Sequence, residues 1–276
     1  ALGNYTLDRH TGDLTGVGNF IEHRMVESND DYKWIELPDL SDTTIKLDDD
    51  ERVWLGLNPT INLGYAPDWA PLEYIDDSGN LAGLSGDLAA EFARLSGSSF
   101  EPVPELKWIP SLEGVRDKAV DAVLMANASD MRRADYNMAF SEPWVVVSND
   151  IITKGVRADI TADSLGSFRV VGVAGYAINA WIVGNYPGVS FTAVGSYEEA
   201  LRAVESGTAD AFVDPWVVAS HQAAEFGVSG LANSGSLPDD VAYKLSVGYH
   251  KDNKIFGGIV QKMLDVVTAP STRICR

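Results

Sequence analysis

From residue 61 onward, short apolar runs suited to β-strands alternate with amphipathic segments suited to helices. The clearest example opens with a β-rich run at residues 61–65, followed by a loop rich in proline and aromatic residues at 66–72. A helix comes next, with one apolar face formed by Leu84, Leu88, Phe92 and Leu95. Such alternation predicts parallel α/β units, which hold small molecules at the carboxyl ends of their strands.

The second half of the chain repeats this organisation. A helix at residues 111–116 leads to a strand that begins Asp121-Ala122, and a helix at 196–201 leads to one that begins Asp210-Ala211. Ser196 and Glu199 have the spacing of a capping box, which marks the start of the second helix. Two lobes of one architecture explain this repetition better than chance does.

Two extended segments are predicted to connect the lobes: residues 145–152 lead out of the first lobe and residues 244–249 return to it. A last helix, with Ile255, Ile259, Met263 and Val267 at helical spacing, should pack on the first lobe. The sequence is therefore predicted to divide into four parts. A polar extension occupies residues 1–50, the first lobe 51–147 with 247–268, and the second lobe 153–245. The hinge is expected at residues 148–152 and 246–249. Within the extension, short strands are expected at residues 20–25 and 32–37.

Composition narrows the function classes. With 21 Lys+Arg against 40 Asp+Glu, the formal net charge is −19, which argues against nucleic acid and anionic membrane surfaces as partners. No apolar run reaches the roughly 18 residues of a membrane helix. No signal peptide is visible at Ala1, as expected of a mature protein or of an excised domain.

Metals and cofactors are not expected. Cys275 is the only cysteine, so disulfide frameworks and thiolate metal clusters are excluded, and it is read as an incidental thiol. The four histidines, His10, His23, His221 and His250, lack metal-ligand spacing. No phosphate-binding glycine loop, nucleophile elbow or zinc-protease motif is present, so no catalytic residues are predicted.

The order of elements over residues 51–268 resembles type II periplasmic solute-binding proteins of the amino-acid-binding family. This resemblance implies an α/β, bilobed Venus-flytrap fold, with two parallel-sheet lobes joined by two crossover strands. The segment from Asn127 through Ser129 to Arg132 resembles the family's Thr-x-Thr-x-x-Arg turn, whose arginine binds a ligand carboxylate. A guanidinium offers parallel donors that match a carboxylate. The alternative is that Arg132 and Arg133 form a surface pair.

The loop after the first strand supplies further candidates. Trp69 stands where the family carries an aromatic that stacks on the ligand, and the alternative is that it belongs to the core. Asp68 and Glu73 flank it and could meet a ligand cation, although solvent exposure is the expected state of either one.

In the second lobe, Gly175 and Tyr176 lie at a strand-to-helix turn, whose free N–H groups can bind an anion. Gly-Tyr at this turn resembles sensor members of the family. Transport members of the family usually have an acid that binds the ligand amine at the position of Pro215. Either the neighbouring Asp214 takes the role of that acid, or the ligand lacks an amine. Pro215 and Trp216 could instead close the cleft.

The resemblance implies an extracytoplasmic domain, periplasmic or otherwise outside the cytoplasm, that binds an amino acid or a related small carboxylate. The first expectation is the sensor module of a transmembrane signalling protein such as a histidine kinase. The alternative is the free binding component of an amino-acid transporter. A secreted dehydratase of the same fold is a third, less favoured possibility. Either of the first two implies a membrane-anchored partner.

Overall fold

A computed structural model describes residues 45–268 together with the backbone of four strands in the N-terminal segment. These strands form an antiparallel sheet in the order β1-β2-β3-β4. Their bounds are β1 (Tyr5–Leu7), β2 (Asp13–Gly16), β3 (Glu22–Ser28) and β4 (Asp31–Leu37). The two strands expected in this segment overlap β3 and β4. The predicted role of Cys275 concerns a residue outside the described part of the chain.

Helices and strands alternate through the rest of the chain. In chain order they are α1 (Asp49–Leu57), β5 (Thr60–Gly64), β6 (Asp68–Trp69), β7 (Glu73–Ile75), β8 (Leu81–Ala82), α2 (Leu84–Ser96), β9 (Ser99–Pro102), α3 (Trp108–Arg116), β10 (Ala122–Asn127), α4 (Asp130–Asp135), β11 (Met138–Phe140), β12 (Val145–Val147), β13 (Asp150–Lys154), β14 (Arg169–Val173), α5 (Ala177–Asn185), β15 (Ser190–Val194), α6 (Tyr197–Ser206), β16 (Ala211–Asp214), α7 (Trp216–Glu225), β17 (Leu231–Ser236), β18 (Tyr243–His250) and α8 (Lys254–Val267).

Two large sheets organise these elements. The first has the order β11-β18-β10-β5-β9, with β12 also paired to β18, and the second has the order β15-β14-β16-β13-β17. In each sheet three consecutive strands are parallel: β10, β5 and β9 in the first, and β15, β14 and β16 in the second. The α/β bilobed class predicted from the sequence is therefore confirmed. Each sheet is mixed rather than wholly parallel, because β18 and β13 join it antiparallel.

The chain passes between the sheets at two places. The outward crossing lies at residues 148–149, since β12 pairs in the first sheet and β13 in the second. The Asp150 carboxylate fixes its far end by accepting hydrogen bonds from the Ser236 hydroxyl (2.6 Å) and the Trp216 N–H (2.8 Å). The return runs through residues 237–242. Residues 246–249, expected as part of the hinge, instead lie inside β18, where residues 245–248 are all buried and pairing with β10 holds them in the first sheet. The division into lobes stays a prediction.

Helix ends follow local sequence signals. Asp48 and Glu51 form a complete capping box at the start of α1. Ser196 accepts a hydrogen bond from the Glu199 N–H at the start of α6, as predicted, but the Glu199 carboxylate reaches the Gly195 N–H, one residue before the cap.

The last helix packs on the first sheet's side, against α1 and α2, through a face that differs from the predicted one. Ile259 and Met263 are buried as expected, whereas Ile255 and Val267 are exposed. The buried stripe also contains Phe256, Val260 and Leu264. The buried residues of α8 come in adjacent pairs that recur every three to four positions. This stripe follows the 3.6-residue period of a helix, whereas the strict four-residue spacing of the predicted face departs from it.

The apolar interior runs across the boundary between the sheets. Two clusters of buried residues fill the first lobe, and a third fills the second. Ala66, Trp69 and Met125 come from the first part of the chain but belong to the second lobe's cluster. The two halves therefore contact each other through buried apolar side chains. Within residues 45–268, no helix combines the length and the apolar character needed to cross a membrane.

Candidate ligand-binding site

A small cavity lies between the two sheets, where β10 and the loop after β5 face the start of α5 and the beginning of β18. The cavity has a volume of about 40 Å³, more than the roughly 10–15 Å³ that one water requires. The lining residues are mostly aromatic or aliphatic: Ala66, Trp69, Trp108, Met125, Asn127, Arg132, Tyr176, Ala177, Tyr243 and Leu245. Mostly apolar walls with a few convergent polar groups are typical of ligand sites.

Arg132 is the charged group of this lining. It belongs to α4, where the Ser129 hydroxyl caps the helix by accepting from the Arg132 N–H (3.3 Å). Its Nη1 donates to the Asn127 carbonyl (2.6 Å), and its guanidinium carbon lies 4.9 Å from the centre of the Trp108 ring. The residue is only 3% exposed, and Nε has no hydrogen-bond partner in the described part of the protein.

Burial lowers the pKa of Arg132 to about 10, so the guanidinium stays positively charged at neutral pH. Among residues 45–268, it forms no ion pair with a carboxylate. A buried charge without a counter-ion is costly. Arg132 therefore offers a desolvated, partly unsatisfied cation to whatever enters the cavity, and an anion suits it best.

Trp69 forms one wall of the cavity and links the two halves of the molecule. It ends β6, part of a small antiparallel sheet formed by β6, β7 and β8. Its indole Nε1 donates to Asp214 Oδ2 (3.1 Å), and its ring meets that of Tyr243 edge-on, with 6.1 Å between centroids. Both interpretations of Trp69 apply, because the buried side chain belongs to an apolar cluster and also lines the cavity.

Asp214 lies behind this wall. It ends β16, is fully buried, and accepts hydrogen bonds from Trp69 and from the Tyr197 hydroxyl (2.8 Å). Burial, together with a smaller effect of the negative charge of Asp68, raises the pKa of Asp214 to about 7. Asp214 does not line the cavity. The structure thus brings it to the lobe boundary without exposing its carboxyl group to the cavity.

Glu73 is buried as well, against the expectation of solvent exposure. It opposes Trp69 in the pairing of β6 with β7, and its Oε1 accepts from the Ala66 N–H (2.7 Å). This bond fixes the loop that carries the Trp69 wall. Burial raises the pKa of Glu73 to about 7. Its other oxygen, Oε2, has no hydrogen-bond partner among the described residues. Asp68 is half-buried, and neither acid lines the cavity.

The turn before α5 faces the cavity from the second lobe. Tyr176 lines the cavity, and its hydroxyl is buried with no hydrogen-bond partner in the described part of the chain. Gly175 has φ +81°, a conformation that glycine adopts without strain. A side chain at Gly175 would collide with Ile109 of α3, so the two lobes approach each other closely here.

Four of the ten predicted site residues line the cavity: Trp69, Asn127, Arg132 and Tyr176. The other six lie nearby but outside the lining: Asp68, Glu73, Ser129, Gly175, Asp214 and Trp216. Trp216 begins α7 and is half-buried. Sequence reasoning missed Trp108, Met125 and Tyr243. Tyr243 immediately precedes the predicted return segment, and this position beside the hinge was the one indication in the sequence that it could reach the cavity.

The site has the chemistry of recognition. One buried cation, an amide and two tyrosine side chains surround an apolar space. Within the described residues, no group of three or more His, Cys, Asp or Glu side chains is arranged to hold a metal ion.

Comparisons with known proteins agree with this architecture. The virulence sensor protein BvgS of Bordetella pertussis is 25% identical over 181 residues, covering 65% of this chain and 14% of that protein. The crystal structure of the periplasmic VFT2 domain of Bordetella pertussis BvgS is similar with a TM-score of 0.69 and 19% identity, covering 81% of this chain and 98% of that one. Holo ArgBP from T. maritima has a TM-score of 0.65 and 20% identity, with 79% and 95% covered.

The match to BvgS leaves most of that protein's length outside the comparison, and the two structural similarities concern the fold. The family model for bacterial extracellular solute-binding proteins, family 3, covers much more of this sequence, at residues 61–270. Because these residues include both large sheets and the cavity between them, the chain belongs to the bacterial extracellular solute-binding proteins, family 3.

Proposed function

We propose that this chain is an extracytoplasmic domain that binds a small carboxylate, of the size class of an amino acid, between its two lobes. The observation that carries the proposal is the buried guanidinium of Arg132, which lines the cavity without a carboxylate partner among residues 45–268. A ligand carboxylate would supply the missing counter-charge and accept from the unpartnered Nε. The aromatic walls would pack on the rest of the ligand.

The second part of the proposal is a sensory role. Membership of an extracellular solute-binding family supports a location outside the cytoplasm, such as the periplasm. The similarity to BvgS, a virulence sensor protein, favours a module that reports on its ligand to a membrane-anchored signalling protein. The Gly175-Tyr176 turn, which lines the cavity through Tyr176, agrees with that role.

A second candidate is the free binding component of a transporter. The fold similarity to ArgBP, an arginine-bound protein in its holo form, supports this alternative. The full-length gene distinguishes the two roles. A membrane helix and a signalling domain encoded together with this chain support the sensor, whereas a separate chain encoded beside transporter subunits supports transport.

Binding without chemical conversion is also part of the proposal. Asp214 and Glu73 are enclosed outside the cavity lining, and each has one oxygen that accepts a hydrogen bond and one without a partner among the described residues. Native mass spectrometry of the purified protein should show a bound small acid, and incubation with that acid should leave its mass unchanged. Release of a different product would support the dehydratase, and absence of any small acid at saturating concentrations would contradict the proposed function.

Ligand binding by both lobes requires that they come together, and Gly175 tests this contact. Gly175→Ala adds a methyl group that meets Ile109 of the other lobe, so we expect affinity to fall about tenfold, or about 1.4 kcal/mol. Gly155→Ala is the matched control, because Gly155 also has a positive φ (+62°) but nothing within 4 Å of the added carbon. Calorimetric titration should show weaker binding in the first variant alone. Equal losses in both would assign the effect to backbone strain.

A further inference from the structure

The charges around the cavity are one-sided. Arg132 contributes a positive charge to the lining, and the lining contains no Asp or Glu. Its other polar contributors are the Asn127 amide and the hydroxyls of Tyr176 and Tyr243. The cavity thus provides a binding partner for a carboxylate and no anionic partner for an ammonium group.

Asp214 is the acid best placed to supply that partner, and the structure keeps it from the cavity. Trp69 and Tyr243 line the cavity, and Asp214, which does not line it, accepts a hydrogen bond from the Trp69 indole. The Trp69 indole and the Tyr197 hydroxyl donate to Oδ2, Oδ1 has no hydrogen-bond partner among the described residues, and the side chain is fully buried. The wall formed by Trp69 therefore separates this carboxyl group from the cavity.

Glu73 is separated from the cavity in a similar way. Its Oε1 accepts a hydrogen bond from the N–H of Ala66, a residue that lines the cavity. Glu73 itself is only 1% exposed and does not belong to the lining. Asp68 is half-buried and also lies outside the lining. Glu73 thus supports the cavity wall through Ala66, and neither acid forms the surface of the cavity.

We infer that the ligand is a short monocarboxylic acid with an apolar body and no α-ammonium group. This inference rests on the proposed function and makes it more specific. An α-ammonium in this cavity would leave water and lie near the Arg132 guanidinium without an anion to neutralise it, which is unfavourable. One face of Trp108, which could otherwise attract a cation, is already occupied by the Arg132 guanidinium. An apolar substituent at the same position would instead pack on aromatic walls.

Matched pairs of compounds that differ by the amine test this inference. Calorimetric titrations would compare propionate with alanine, 3-methylbutanoate with valine, and phenylacetate with phenylglycine. We expect the acid without the amine to bind at least tenfold more tightly in each pair that binds. An amino acid that binds as tightly as its partner, or more tightly, overturns the inference and leaves the proposed function standing. Absence of binding by all six compounds overturns the inference, whereas the proposed function is decided by the native mass spectrometry described above.

Asp214→Asn provides a second readout, because asparagine keeps an acceptor oxygen for Trp69 and Tyr197 but carries no charge. Since Asp214 does not face the ligand, we expect the affinity ratio within each pair to change less than about threefold. A selective loss of amino-acid binding, with binding of the matched acid retained, would show that Asp214 contacts an ammonium group and would overturn the inference. The titrations of the unmodified protein decide the question independently if this variant fails to fold.

Discussion

Replacing Arg132 with lysine is expected to weaken binding of the identified carboxylate by about a hundredfold. Lysine retains the charge but not the planar pair of donors, and the loss of a charge-assisted hydrogen bond is worth about 1.5–3 kcal/mol. Arg132→Gln should lose binding altogether, because the buried site then has no cation. Calorimetric titration of each variant measures the change directly.

Stability separates a ligand role for Arg132 from a structural one. The buried guanidinium has no carboxylate partner among residues 45–268, so Arg132→Gln should leave the free energy of unfolding unchanged or raise it. Arg133 is the control: it is exposed, its guanidinium lies 4.9 Å from the Phe140 ring, and Arg133→Lys should change affinity less than about threefold. Similar losses of affinity in Arg132→Lys and Arg133→Lys would contradict a specific role for Arg132.

The second large effect concerns pH. Burial raises the pKa of Asp214 and of Glu73 to about 7 in the folded protein, above the roughly 4 expected of an unfolded chain. Between those pH values the folded state binds more protons than the unfolded state. Stability contributed by these groups is therefore greatest below about pH 4 and declines as pH rises towards 7, where the buried charges form.

Asp214→Asn removes one of these ionisations while retaining an acceptor for Trp69 and Tyr197. Relative to the parent, we expect the variant to gain on the order of 3 kcal/mol between pH 4 and pH 8. Urea unfolding at both pH values gives the difference, and general charge repulsion cancels between the two proteins. Asp77→Asn, at an exposed position, is the control and should follow the parent. A stability difference between Asp214→Asn and the parent that does not change with pH would contradict burial of an ionisable Asp214.

The local elements of this protein were accessible from its sequence because their signals are local. The capping pair Ser196 and Glu199 and the apolar repeat Leu88, Phe92, Leu95 act within a few residues. Arg132 could be found for the same reason, since it lies in a short turn at the end of a buried strand, capped by Ser129.

The surroundings of the acids could not be found in this way. The hydrogen bond from Trp69 to Asp214 joins residues 145 positions apart, and no local pattern indicates which partner reaches a buried carboxyl group. Burial of Glu73 depends on the β6–β7 pairing and on the Ala66 N–H. Trp108 and Met125 become part of the cavity through the packing of α3 and β10 against the second lobe, which sequence periodicity does not determine.

The central claim is that a small carboxylate binds between the lobes on Arg132, and a crystal structure with the tightest-binding acid tests it most directly. We expect density between β10 and the start of α5, with the ligand carboxylate within about 3 Å of the Arg132 guanidinium nitrogens. Its apolar body should contact Trp69 and Tyr176, and Asp214 should remain bonded to Trp69. A ligand bound elsewhere, or bound here with its carboxylate directed away from Arg132, would show that Arg132 is not the carboxylate-binding residue.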